Sequence, residues 1–373
     1  MQQKAWAAVF EGPHKRFSLK EFDVCSAPEG MAGLRLIASG ICGTDVHIKN
    51  GKIPVGFPSI IGHEFVGQIE EISPEDAGRS GLTAGDRVIS VIACPCGECL
   101  LCRQGDDANC VRMGVTNAGD PDVPPHFFGG FAEYNLSPVQ NLVKIPAETD
   151  AAAAAVFACA GPTAIHAFSL ARQAGFVLGE ASSAVVQGIG PVGLFALMYL
   201  ASAGIKNVIA LTVRENPAKR ALALALGASR VLSYEKDGAD AVAQTIQEVS
   251  AGLGADLVYE ASGNPDAFTQ GLGMLRNRGL YLVPGQYSNG RNVEIAPQTI
   301  TFKALRIIGS SQYSMRDVRE YLSFFTKRRG LEAAIRSAAS CYAVRQINDA
   351  FDDMDAGLTV KCLLVPSPGG GQT

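Results

Sequence analysis

Val185-Val186-Gln187-Gly188-Ile189-Gly190-Pro191-Val192-Gly193 governs the architecture of this chain. A short apolar run ends in a turn with glycines at 188, 190 and 193, and an apolar, helix-compatible segment follows at 191–203. Such glycines permit a tight turn and close backbone approach. The helix N-terminus behind them offers unpaired N–H groups to a pyrophosphate. By itself a Gly-X-Gly-X-X-Gly match is also what an ordinary tight turn looks like. Here a strand precedes it, a helix follows, and a second strand at 208–211 lies at the expected distance. Gly188, Gly190, Pro191, Val192 and Gly193 are therefore expected to bind a dinucleotide.

Outward from that turn, apolar strands at 184–187, 208–211, 230–232, 257–260 and 280–283 alternate with helices at 191–203 and 217–226. Strands buried on both faces look like continuous apolar runs, so this region is expected to be α/β with a doubly wound parallel sheet. The first 150 residues differ. Gly, Pro and short alternating strands at 34–37, 64–70 and 87–91 predict a β-rich domain. The C-terminal segment resumes after Arg306–Gly309 with a helix at 315–327 and a closing strand at 361–365. At 373 residues two domains are expected.

The composition excludes several classes. Thirty-two Lys and Arg against 36 Asp and Glu give a net charge of -4, and the densest basic cluster is Lys327-Arg328-Arg329, so no nucleic-acid partner is expected. The longest apolar run, 151–165, is too short to span a bilayer and contains Gly161 and Pro162. Lys4, Glu11, Lys15 and Arg16 interrupt what would be the apolar part of a signal peptide. A cytoplasmic protein with no membrane partner is expected. A glycine-rich tail at 369–371 is read as dispensable.

The second strand of a dinucleotide fold commonly ends in an acidic residue that binds the adenosine ribose. Here it ends in Thr212-Val213-Arg214. Thr212 removes the repulsion a 2′-phosphate would meet, and Arg214 can pair with one, which favours NADP. Glu215 next door suits NAD, so the choice of coenzyme stays open.

Ten cysteines in a long chain with an ample core do not form a disulfide scaffold, and four of them crowd into 96–110. Cys96-X2-Cys99-X2-Cys102-X7-Cys110 lets four thiolates close a tetrahedron on Zn²⁺. The net charge is then about -2, with no position left open, which marks a structural site. Cys94 is either a spare ligand or a buried bystander. A second set is dispersed: Cys42 with Thr44 two residues on, His63 beside Glu64, and Cys159, a residue that on an apolar stretch is by itself more often core than ligand. Two thiolates and a neutral imidazole give a neutral zinc site with a fourth position open to an alcohol or carbonyl oxygen. The spacing Cys42-X-Thr44-X2-His47 adds a hydroxyl and an imidazole able to carry a proton away.

Together, Gly62-His63-Glu64-Phe65-Val66-Gly67, Cys42-Gly43-Thr44-Asp45, the four-cysteine lobe and the glycine-rich turn resemble the zinc-containing medium-chain alcohol dehydrogenase family along nearly the whole chain. The resemblance implies a Rossmann-type sheet at 161–303 inserted into a GroES-like, β-rich catalytic domain formed by 1–160 and 304–373. It implies catalytic zinc on Cys42, His63 and Cys159, with Glu64 able to approach the metal during ligand exchange and Asp45 fixing the tautomer of His63. Thr44 would take the alcohol proton and pass it through the coenzyme ribose toward His47, and Thr163 would lie against the nicotinamide. One catalytic and one structural zinc, NAD(P) and a small alcohol, aldehyde or ketone substrate follow, in a homodimer or homotetramer. Many polyol and threonine members carry Glu-Pro where this chain has Cys159-Ala160-Gly161-Pro162, and the loop after Thr212 is longer than in typical NAD-using members. A polyol or sugar dehydrogenase is the alternative, and a zinc-free quinone or enoyl reductase a further one that the metal ligands oppose. Phe57, His126, Phe127, Phe128 and Tyr313 are candidates either for the substrate pocket or for ordinary packing.

Overall fold

Parallel pairing of six short strands organises the central part of the chain. Their order across the sheet is Arg230–Ser233, Asn207–Thr212, Ser183–Gln187, Ala255–Glu260, Leu275–Val283 and Arg306–Gly309. Numbered by sequence this is 3-2-1-4-5-6, the doubly wound order in which the crossing point lies outside the first strand's C-terminal end. The strand Ser183–Gln187 is buried along its whole length, as a parallel strand covered on both faces must be. Val185, Ile209, Leu211, Val258 and Tyr281 share one side of the sheet with Val242, Ile246 and Leu272 from helices packed against it. The structure, a computed structural model, describes residues 3–286 and 291–367; the glycine-rich tail at 369–371 lies outside them.

The chain divides into two compact units, Met1–Cys159 with Ser314–Thr373, and Ala160–Tyr313. The sequence placed the second junction at 303/304, and the structure moves it to 313/314. Arg306–Gly309 pairs in parallel with Leu280–Val283 as the sixth strand and therefore goes with the dinucleotide unit.

The discontinuous unit is built on the long strand Met31–Ile41. It pairs antiparallel with Glu64–Ile72, with Tyr134–Pro138 and with the C-terminal strand Lys361–Val365. Arg87–Ser90 and Leu142–Lys144 continue the sheet on one side, and Ala339–Ala343 adds a parallel edge on the other. Phe10, Phe65, Phe131, Tyr134 and Phe351 fill its core. The apolar run at 151–165 breaks into a helix, Ala151–Ala155, and a turn before the helix Ala160–Gln173. Among the described residues no helix is long and apolar enough to cross a membrane.

Candidate active site

Cys42 stands at the junction between the strand Met31–Ile41 and the short helix Gly43–Lys49. Its backbone N–H donates to Asp45 Oδ2 at 2.8 Å, so the Asp45 carboxylate closes the helix start on its own preceding residue. The other oxygen, Oδ1, faces His63 Nδ1 at 3.3 Å. Asp45 is fully buried, and its position leaves the opposite edge of the imidazole to Cys42 and Cys159. The donor atoms of Cys42, His63, Glu64 and Cys159 all lie within 4.8 Å of one another. All four belong to the discontinuous unit.

The donors of this cluster act strongly on one another. Hydrogen bonding from Cys159 draws the Cys42 thiol well below its ordinary pKa, against burial and with help from His63. Cys159 rises correspondingly, since Cys42 and burial both disfavour its ionisation. Burial works against a charged His63, yet Asp45 overrides it and raises the imidazole's pKa. A thiolate, a second thiol, an imidazole and a buried carboxylate packed this closely form a donor set that fits zinc. Glu64 is 1% exposed and hydrogen-bonded by the ammonium of Lys361, itself buried, on the C-terminal strand. Lys361 was not anticipated from the sequence, because 297 residues separate it from Glu64 and nothing in its neighbourhood marks it.

Thr44 and His47 lie three positions apart on the helix Gly43–Lys49, hence on one face. Thr44 Oγ1 is 3.8 Å from Cys42 Sγ. His47 is half-buried, and burial followed by the charge of Lys52 lowers its pKa below the ordinary value.

Cys96, Cys99, Cys102 and Cys110 form the second cluster, again with all four sulfurs within 4.8 Å. The ribbon Ala93–Cys94 and Gly114–Val115 brackets it. Backbone N–H groups point at its sulfurs, from Cys96 and Arg112 to Cys110 at 3.2 and 3.4 Å and from Cys99 to Cys96 at 3.4 Å. Backbone N–H groups of Glu98 and Cys99 draw Cys96 down to about 6, while burial pushes Cys102 up to about 12. Cys94 stands apart from this group, its sulfur accepting from Asn141 at 3.4 Å.

In the other unit, Gly188 has φ +94 and a Cβ there would lie 2.8 Å from the backbone of Ser262. Gly193 is equally constrained, because a Cβ would overlap the Gly188 carbonyl. Gly190 has open space on its side-chain face, and Pro191 starts the helix Pro191–Ser202. Thr163 lies on the helix Ala160–Gln173. Thr212 ends the second strand and Arg214 is exposed beyond it. Arg220 holds the Glu215 carboxylate through two bonds of 2.6 and 2.8 Å and thereby lowers its pKa.

Residues 28–147 match the alcohol dehydrogenase GroES-like domain, and 191–327 match the zinc-binding dehydrogenase domain. An alcohol dehydrogenase of Geobacillus stearothermophilus is 32% identical over 354 residues, covering 94% of this chain and 96% of that one. The chain belongs to the zinc-containing medium-chain alcohol dehydrogenase family. The family's sorbitol dehydrogenase from Halalkalibacterium halodurans is 28% identical over 92% of this chain and 96% of its own length. An alcohol dehydrogenase structure from Thermotoga maritima superposes with a TM-score of 0.87 at 25% identity, covering 98% of this chain and all of that one. As a member of this dehydrogenase family the protein is an oxidoreductase.

Of the aromatic candidates for a substrate pocket, Phe127 is fully buried core, packed edge-on against Tyr134. His126 stacks on Phe22 and bonds the Pro121 carbonyl at 2.8 Å. Phe128 packs against Gly119, leaving no room there for a side chain, and Tyr313 is buried. Phe57 alone of the five is exposed.

Proposed function

We propose that this family member is a zinc-dependent dehydrogenase that transfers hydride between a small alcohol, or the matching aldehyde or ketone, and a nicotinamide dinucleotide. The observation that carries the reading is the convergence of Cys42, His63 and Cys159, with Asp45 behind the imidazole, at the start of the helix that bears Thr44 and His47. Cys42, His63 and Cys159 would hold the catalytic zinc, and Cys96, Cys99, Cys102 and Cys110 the structural one. Zinc held by the first set supplies Lewis acidity that makes an alcohol easier to deprotonate, and the nicotinamide supplies the hydride acceptor.

The chain's own work is to orient and to move a proton. Asp45 fixes His63 with one nitrogen free for the metal. The Thr44 hydroxyl, tied two residues from Cys42, would take the alcohol's proton at Oγ1, and the His47 ring on the same helix face would serve as its final acceptor. His47 has a lowered pKa, so its ring is neutral near pH 7 and able to accept. In the other unit, the turn Gly188–Gly193 would bind the pyrophosphate through backbone N–H groups, those of Val192 and Gly193 among them, at the N-terminus of the helix that Pro191 opens, and Thr163 would lie against the nicotinamide. Arg214 pairs with a 2′-phosphate, making NADP the preferred coenzyme. The engagement of Glu215 by Arg220 supports this, since that carboxylate is no longer available to a ribose.

A panel of alcohols and aldehydes, assayed with NAD and with NADP on zinc-replete protein, tests the reading. Polyols belong in the panel because of the likeness to sorbitol dehydrogenase. Turnover that is lost in Cys42→Ala supports it; no turnover with any substrate, or full turnover in Cys42→Ala, refutes it.

A further inference from the structure

The cluster around Cys42 contains one donor too many. A zinc site that takes substrate needs three protein ligands and an open position, whereas four protein donors close the tetrahedron. Glu64 brings a carboxylate oxygen within 4.8 Å of the Cys42, His63 and Cys159 donors, so the chain could fill the fourth position itself. Something has to hold that carboxylate off.

We infer that Lys361 is a latch: by pairing with Glu64 it keeps this carboxylate from becoming the fourth ligand and so keeps the metal open to substrate. The inference rests on the metal-binding reading above and deepens it.

Three observations carry it. Lys361 Nζ donates to Glu64 Oε2, and both side chains are 1% exposed, so water does not compete for either charge. The two residues stand on strands that flank Met31–Ile41, where Gly40 is opposite Glu64 on one side and Leu363 on the other. Gly40 leaves the space through which the pair meets: a Cβ there would overlap Glu64 Oε2 and come within 2.9 Å of Lys361 Cε. A buried carboxylate stripped of its ammonium partner must take up a proton or find another cation, and the cation within its reach is the metal that Cys42, His63 and Cys159 would hold. Lys361 is a positioning residue in this account, touching neither metal nor substrate.

The test uses the cobalt-substituted enzyme, with imidazole as a probe of the open position. The cobalt absorption of a Cys42→Ser protein is subtracted to remove the four-cysteine site. In the parent and in Lys361→Arg, imidazole should shift the difference spectrum with similar affinity. In Lys361→Met, imidazole should bind about tenfold or more weakly, the scale on which residues behind metal ligands act. Adding Glu64→Gln to Lys361→Met should restore the affinity. Imidazole binding to Lys361→Met as to the parent would overturn the latch.

Should Lys361→Met fail to fold, Glu64→Gln alone decides. It should leave imidazole affinity near the parent's, because the carboxylate is already held away. A gain of about tenfold would show Glu64 on the metal despite Lys361, and the latch falls. A parent with no imidazole-sensitive cobalt band has a different meaning: it overturns the metal reading itself, and the latch with it.

Discussion

Thr44 and His47 share one helix face beside Cys42, and each can be tested by removing one atom group. Thr44→Val replaces a hydroxyl with a methyl that carries no proton, and alcohol oxidation should fall by about a hundredfold or more. His47→Gln should cost about tenfold to a hundredfold, with partial rescue by imidazole buffer. The sign of the pH dependence follows from burial and Lys52, which lower the His47 pKa. A base acts when neutral, so oxidation should rise as pH climbs through a value below the ordinary histidine pKa of about 6.5 and lose that limb in His47→Gln. Full rates in Thr44→Val, with metal and coenzyme bound normally, would leave the relay without a role. Arg214, exposed beyond the second strand, makes a separate prediction. Arg214→Ala should weaken NADP binding by about 1.5–3 kcal/mol and leave NAD nearly unchanged, as measured by calorimetric titration. Equal losses for both coenzymes would show that Arg214 does not read the 2′-phosphate.

Between strands, Asp256 does the most visible work in the dinucleotide unit. Its carboxylate accepts from the backbone N–H of Ser182 and Ser183, each at 2.9 Å, and from Arg276 Nε at 2.5 Å. The start of the strand Ala255–Glu260 is thereby tied to the start of Ser183–Gln187, which ends at the glycine-rich turn. Burial acts to raise the Asp256 pKa, but Arg276 and the serine donors prevail and lower it. A carboxylate with a depressed native pKa contributes stability at neutral pH that disappears as pH falls below the unfolded value of about 3.9 and through the native one. Asp256→Asn should cost about 1.5–3 kcal/mol in urea unfolding at pH 7, with the gap to the parent narrowing below about pH 4. A pH-independent difference would mean that packing, and not charge, is at stake. The elements themselves were largely readable from the sequence. Gly188, Gly190 and Gly193 have local steric causes, and the four clustered cysteines have local spacing. The strand Arg306–Gly309 was assigned to the wrong domain because an apolar tetrapeptide does not say which sheet it joins. The Glu64–Lys361 pair left no trace, since its geometry arises only when two distant strands come to flank Met31–Ile41.

At the scale of the whole molecule, both cysteine-bearing clusters belong to the discontinuous unit, and they should respond differently to loss. Elemental analysis of protein purified without chelator should find near two zinc ions per chain, one for each cluster. Cys99→Ser should lower that number and the melting temperature together, because a structural metal contributes directly to folding. Cys42→Ala should lower the number and abolish turnover while the fold persists. A zinc content near one that is unchanged in Cys99→Ser would remove the structural site.

The position of Lys361 sets an order of events during synthesis. When a growing chain has reached Ala356, every cysteine and histidine of both clusters has been made, yet the ammonium that faces Glu64 has not. A nascent chain that captured zinc at that point would offer it Cys42, His63, Cys159 and an unopposed Glu64, a closed set of four. On this account the last strand carries the charge that turns a closed, storage-like set of four donors into an open set of three.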